Sequence, residues 1–161
     1  MLKTRVIVDM SDAKVSQNTA TVLATYSLGS CIAVCLYDPT ACVGGMLHYQ
    51  LPDSKMDAQR AKEKPLMFAD TGMDYMISRM IALGANKKML HAKIAGGAAM
   101  ENGPKGFDVG KRNHLAIRKI LWKYGMLIDA EDVGGSAPRN MYLNIENGVV
   151  TIRTIGLEKQ L

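Results

Sequence analysis

Three residues near the N-terminal end of this chain carry the makings of thiol hydrolysis: Cys31, His48 and Thr25. A free thiol has a pKa of ~8.5 and becomes a useful nucleophile near neutrality only beside a base or a cation. Histidine supplies the base, and a third polar group must hold the imidazole in its working orientation. In the stretch "TYSLGSCIAVCLYD", Cys31 follows Gly29-Ser30 and opens an apolar run, while His48 closes the next apolar run. Pro39-Thr40 makes the reversal between them, so antiparallel pairing of 31–38 with 41–48 sets Cys31 beside His48. Thr25, on the strand leading in, is the candidate orienter. The backbone N–H groups around Ser30 and Cys31 are candidate oxyanion donors, because Gly29 lets the chain turn sharply there. An activated Cys31 should meet iodoacetamide faster than Cys35 and Cys42 do, at a rate titrating well below pH 8.5.

Competing uses of the same residues fare worse. Cys31, Cys35, Cys42 and His48 have a zinc-like look, but a strand separates Cys31 from Cys35 by about 13 Å at ~3.3 Å per residue. Zinc holds its ligands within ~2.3 Å of one centre, so no metal is expected. The same separation exceeds the ~7 Å between Cα atoms that a disulfide tolerates, which argues against a redox pair. Cys35 and Cys42 read as small buried hydrophobes. His91 and His114 read as edge or surface histidines. "GGAAMENG" lacks the Gly-Lys-Ser/Thr ending of a phosphate loop, and it and Val109–Asn113 read as the rim of a pocket.

The elements that must position these residues follow from patterning. The chain has 161 residues, 48% hydrophobic and 22% charged, which suits a single globular domain, 1–161. The fold class expected is α+β. Residues 3–9 read as a first strand and "SDAKVSQNTA" as a loop. Thr21–Tyr26, Cys31–Asp38 and Ala41–Gln50 read as neighbouring strands of a meander. The polar stretch from Leu51 to Pro65 reads as the longest loop. Ala69, Gly72, Met73, Met76, Ile77, Met80 and Ile81 share one face of a helix over 68–83, ended by Gly84. A second helix covers about 110–124, with Ile117, Ile120, Leu121 and Tyr124 inward. Strands are expected at Leu90–Ala95, Met126–Asp132 and Met141–Ile145, then Val149–Ile155 after an Asn147-Gly148 hairpin turn. A largely antiparallel sheet with two main helices packed on it results. The net charge of +5 is scattered and lacks stacking aromatics, so no nucleic-acid partner is expected. No apolar run approaches the ~18 residues of a membrane span, and no signal peptide is evident, so a cytoplasmic location is expected.

The blocks "TYSLGSCIAVCLYDP", "GGMLHYQLPDS", "FADTGM", "AKIAGGAAM", "VGKRN" and "EDVGG" resemble, in order and spacing, those of the CheD family of chemoreceptor glutamine deamidases. The resemblance runs from about residue 20 to 155 and implies a fold like that of the cytotoxic-necrotising-factor deamidases. It also implies a catalytic set falling on Cys31, His48 and Thr25, with glutamines on chemoreceptor cytoplasmic helices as substrate and no cofactor. A CheC phosphatase partner and, in some members, esterase activity toward methylated glutamate are implied as well. One departure is Val133, where many relatives carry threonine before Gly134-Gly135. The competing reading is a non-catalytic module that binds receptor or CheC without turnover.

Overall fold

Two five-stranded sheets stack face to face, and helices cover the outer side of one of them. In the computed structural model, which describes residues 2–99 and 108–161, the strands are β1 (Thr4–Ile7), β2 (Asp12–Ser16), β3 (Thr21–Leu28), β4 (Ile32–Asp38), β5 (Val43–Tyr49), β6 (His91–Gly96), β7 (Ile128–Val133), β8 (Arg139–Asn144), β9 (Val150–Thr154) and β10 (Leu157–Gln160). The helices are α1 (Ala58–Glu63), α2 (Ala69–Ala82) and α3 (Val109–Lys123). The first sheet runs β1-β3-β8-β9-β10 and the second β2-β5-β4-β6-β7. Pairing is antiparallel except between β1 and β3 and between β6 and β7, so the expected α+β class with a largely antiparallel core is what forms.

Alternation along β4 and β5 assigns their faces. Ile32, Val34, Leu36 and Leu47 pack against Met73, Met76 and Met80 of α2 and Ile117 and Leu121 of α3. Ala33, Cys35 and Met46 turn the other way, into the gap between sheets, where they meet Leu23, Met141 and Leu143. Every residue of both strands is buried because both faces are covered, which is why the sequence shows continuous apolar runs. Each of the three α2 methionines is fully buried, a gain of ~1.5–3 kcal/mol apiece over exposure. Ile81 departs from the expected helix face and is 47% exposed.

The meander expectation needs correcting at β3. This strand pairs with β1 and β8 in the opposite sheet, and only β4 and β5 form the expected hairpin. The chain therefore crosses from one sheet to the other at Gly29–Cys31, between the end of β3 and the start of β4. The stretch expected as a loop after residue 10 contains β2, an edge strand whose inward residues are only Ala13 and Val15. Leu51–Pro65 is likewise not all loop: Asp53 accepts from Lys55 N and Asp57 from Arg60 N, capping a 3-10 turn at Ser54–Met56 and then α1. The short β10, with all four residues exposed, went unread because it has no apolar pattern. No helix among the described residues is long and apolar enough to cross a membrane.

Candidate active site

The crossing at Gly29–Cys31 is held by every one of its carbonyls. Ala98 N donates to Gly29 O (2.8 Å), Asn113 Nδ2 to Ser30 O (3.0 Å) and Gly97 N to Cys31 O (2.8 Å). This close approach depends on glycine: a Cβ on Gly96 would stand 2.2 Å from Cys31 O, at a φ of +112°. The positive φ in the β3 end itself falls on Ser27 (58°) and not on Gly29, beside a bulge in the β3–β8 pairing. Gly29 is thus not a left-handed turn residue, and the sharp bend expected of it comes two residues earlier.

His48 sits on β5, 4% exposed, with its side of the strand facing the inter-sheet gap. The hairpin register differs from the expected one by two residues: Ala33 stands opposite His48, and Ile32↔Tyr49 is the last pair. The cause is a four-residue turn, Pro39–Cys42, stabilised by Thr40 N and Ala41 N donating to Asp38 Oδ1. A shift of two preserves the face, where a shift of one would have turned His48 away. Cys31 therefore shares the inner side with His48 on a diagonal, a separation of ~7–8 Å between backbones that a long side chain spans.

Thr25 comes to His48 from the facing sheet. Its Oγ1 lies 2.7 Å from His48 Nδ1 and 2.6 Å from Val8 O. A hydroxyl has one proton and a carbonyl can only accept, so the Thr25 proton goes to Val8. His48 Nδ1 must then carry the hydrogen that Thr25 Oγ1 accepts, which leaves Nε2 as a bare lone pair. That nitrogen is buried and has no hydrogen-bond partner among the described residues, Cys31 Sγ included.

Burial governs the titration of the pair. It pulls His48 down from 6.5 to about 4, against the opposing pull of Asp9 and Asp12. It pushes the Cys31 thiol up to about 11, offset only in part by its own backbone N–H. Burial therefore favours the neutral thiol and the neutral imidazole, the opposite direction from a thiol titrating well below 8.5. A stability consequence follows. The unfolded chain takes up a proton on His48 near pH 6.5 and the folded one only near 4, so stability falls as pH drops through that window. Denaturant titrations should show a loss of up to about 3 kcal/mol between these limits, largely absent in His48→Gln.

The other candidates lie elsewhere. Cys35 is 2% exposed between the sheets, its thiol against Met141 Sδ (3.8 Å), and burial raises its pKa strongly. Cys42 is not the buried hydrophobe expected; it is half-buried in the β4–β5 turn at a φ of 52°. His91 Nδ1 pairs with Asp129 (2.7 Å) and His114 Nε2 with Glu131 (3.1 Å). Val133 packs toward the helix-side core, away from the sheet gap. Of the glycine-rich rim 96–103, residues 100–103 lie outside the described residues.

Arg139 escaped sequence reasoning, and Asn113 was read only as part of a pocket rim. Arg139, 5% exposed, donates to Asp132 O (2.6 Å), Ala137 O (3.1 Å) and Gly134 O, holding the β7–β8 turn. That turn in turn meets the glycine loop, through Gly134 N to Gly96 O (2.9 Å) and Ala99 N to Gly135 O (2.8 Å). Asn113 was legible as the one polar side chain in the buried stripe Gly110-Asn113-Ile117-Leu121 of α3.

What the fold brings together, then, is a Thr25–His48 hydrogen bond across two sheets, with Cys31 on the same inner side and an imidazole whose free nitrogen is defined by its neighbours. The family model described as CheD chemotactic sensory transduction matches residues 50–154. Curated relatives align over the earlier part as well. The probable chemoreceptor glutamine deamidase CheD of Solibacter usitatus is 48% identical over 157 residues, 98% of this chain and 93% of its own. The probable chemoreceptor glutamine deamidase CheD 1 of Syntrophus aciditrophicus is 46% identical, covering 94% of each chain. The chemoreceptor glutamine deamidase CheD of Thermotoga maritima is 42% identical over 140 residues, 87% of this chain and 86% of its own. The chain belongs to the CheD family.

Proposed function

We propose that this protein is a glutamine deamidase acting on chemoreceptor cytoplasmic helices, with Cys31 as nucleophile, His48 as general base and acid, and Thr25 as the residue that orients His48. The observation that carries the reading is the proton inventory at Thr25: Val8 O takes its only proton, so His48 presents a bare Nε2 on the side of β5 shared with Cys31. In the first half-reaction the Cys31 proton passes to Nε2 as sulfur bonds to the carboxamide carbon. The tetrahedral oxyanion is received by backbone N–H groups at Ser30 and Cys31, whose turn has its carbonyls already committed. His48 returns the proton to the nitrogen, ammonia leaves and a thioester remains. In the second half-reaction water gives a proton to Nε2, attacks the thioester and frees glutamate and the thiol. The same thioester chemistry accommodates a methyl ester of glutamate. The cytoplasm is where such receptor helices are met, and CheC is the partner that the family resemblance implies.

Thr25 acts without charge, so its loss should cost less than the ~10⁴-fold seen when a triad aspartate is neutralised. Thr25→Val is expected to lower kcat by roughly 10- to 100-fold, and Thr25→Ser, which restores the hydroxyl, to recover most of it. Steady-state rates on a receptor fragment check both.

The reading itself is tested by mass spectrometry of a receptor cytoplasmic fragment incubated with the protein. A gain of about one dalton at particular glutamines supports it, since an amide has become an acid. Unchanged glutamines on a fragment that nevertheless binds would favour the docking module.

A further inference from the structure

We propose that Asn113 is a positioning residue for this reaction: its side-chain amide clamps the Cys31 turn to the end of the His48 strand and so sets the spacing of nucleophile and base. The inference rests on the roles given above to Cys31 and His48. The β4–β5 ladder ends at Ile32↔Tyr49, so no sheet pairing joins Cys31 to Gln50, the residue that continues the register across from it. Beyond that rung the two chains part. One crosses to the other sheet through Ser30 and Gly29, and the other leaves toward Met67, whose carbonyl accepts from Gln50 N (2.9 Å). Asn113 supplies the missing rung. Its Nδ2 donates one hydrogen to Ser30 O (3.0 Å) and the other to Gln50 O (2.8 Å), and the backbone carbonyl of Asn113 accepts from Tyr49 OH (2.7 Å).

Two acceptors fix the amide's orientation, because turning it over would set its oxygen against two carbonyl oxygens. The position is 0% exposed, in line with Gly110, Ile117 and Leu121, where a leucine would satisfy packing. Asparagine here leaves Oδ1 buried without a partner among the described residues, a cost that an apolar side chain would avoid. What it gains is the double donation. The helix reaches close enough to make it because Gly110 lies against Ala98 O, where a Cβ would come within 2.4 Å, and Ala98 is itself bonded to Gly29.

The test uses Asn113→Leu and Asn113→Asp in the full chain. Asn113→Leu takes the donor from Ser30 O and Gln50 O, so it should fold with a melting temperature lowered by roughly several degrees. Its kcat on a receptor fragment should fall on the order of 100-fold with KM within about twofold, as a small misplacement of reacting groups costs rate and not binding. Asn113→Asp can donate a hydrogen only when protonated, so its rate relative to wild type should fall as pH rises from about 5 to 8. A purely structural role predicts no such profile and no kcat loss in a folded variant. Wild-type kcat in folded Asn113→Leu overturns the proposal, and so, where that variant does not fold, does a flat pH ratio in Asn113→Asp. Should the wild type leave every glutamine intact, the proposed function fails on its own. The iodoacetamide rates of Cys31 and Cys35 then decide the clamp: a changed ratio in Asn113→Leu upholds it, and an unchanged ratio overturns it.

Discussion

Cys31→Ala is expected to convert a receptor fragment at least about 10⁴-fold more slowly than the wild type, while still folding and binding it. The loss is this large because nothing else near His48 can form the covalent intermediate: the Thr25 hydroxyl is held donating to Val8 O, and Cys35 and Cys42 lie in the core and in a distant turn. Folding should survive because Cys31 is only partly buried and the crossing is held by backbone carbonyls, Gly29 O to Ala98, Ser30 O to Asn113 and Cys31 O to Gly97, and not by the thiol. Cys35→Ala is the converse control. It removes a buried thiol from between the sheets and should lower stability by about 1–2 kcal/mol with kcat little changed. Intact-mass kinetics with thermal melts on both variants separate the two effects.

His48→Gln should be nearly as damaging at neutral pH, and its pH dependence is more telling than its size. With a thiol pKa of about 11, only about one molecule in 3,000 is thiolate at pH 7.5 unless a base removes the proton during attack. The wild type has that base, unprotonated at any pH above about 4, so its acid limb should lie near 4 and its rate be flat from about pH 5.5 to 8.5. Without the base, the residual rate of His48→Gln should climb about tenfold per pH unit over the same range, tracking the thiolate. Parallel slopes in the two proteins would mean that His48 does not take the proton. The sign follows from burial acting on both groups in opposite directions, since each is held in its neutral form.

Much of this arrangement was legible in the residues and part of it was not, for identifiable reasons. β4, β5, α2 and α3 could be read because apolar runs and three- and four-residue spacing survive wherever a strand or helix is covered by others. That Cys31 and His48 share a face could be anticipated because a hairpin conserves faces, but their expected pairing is displaced by two residues in the Pro39–Cys42 turn, whose length depends on what Asp38 binds. Placement of β3 in the other sheet could not be read, because a short connection such as Gly29–Cys31 serves a hairpin and a sheet crossing equally well. That crossing answers why small residues precede the cysteine: three consecutive carbonyls must be reached by the glycine loop and by α3. The depressed His48 and raised Cys31 pKa values were also out of reach, since they depend on how completely two sheets close over them.

The central claim is that Cys31 becomes covalently attached to the substrate carboxamide carbon, and one measurement addresses it directly. Wild-type protein mixed with a glutamine-containing receptor peptide, quenched in acid within the first turnover and mapped by mass spectrometry, should carry an adduct on the Cys31 peptide. Its mass should equal that of the substrate less about 17 Da, the ammonia already lost, and it should be absent from Cys31→Ala. Product accumulating at an undiminished rate in Cys31→Ala, with no adduct on Cys31 at any quench time in the wild type, would contradict the account.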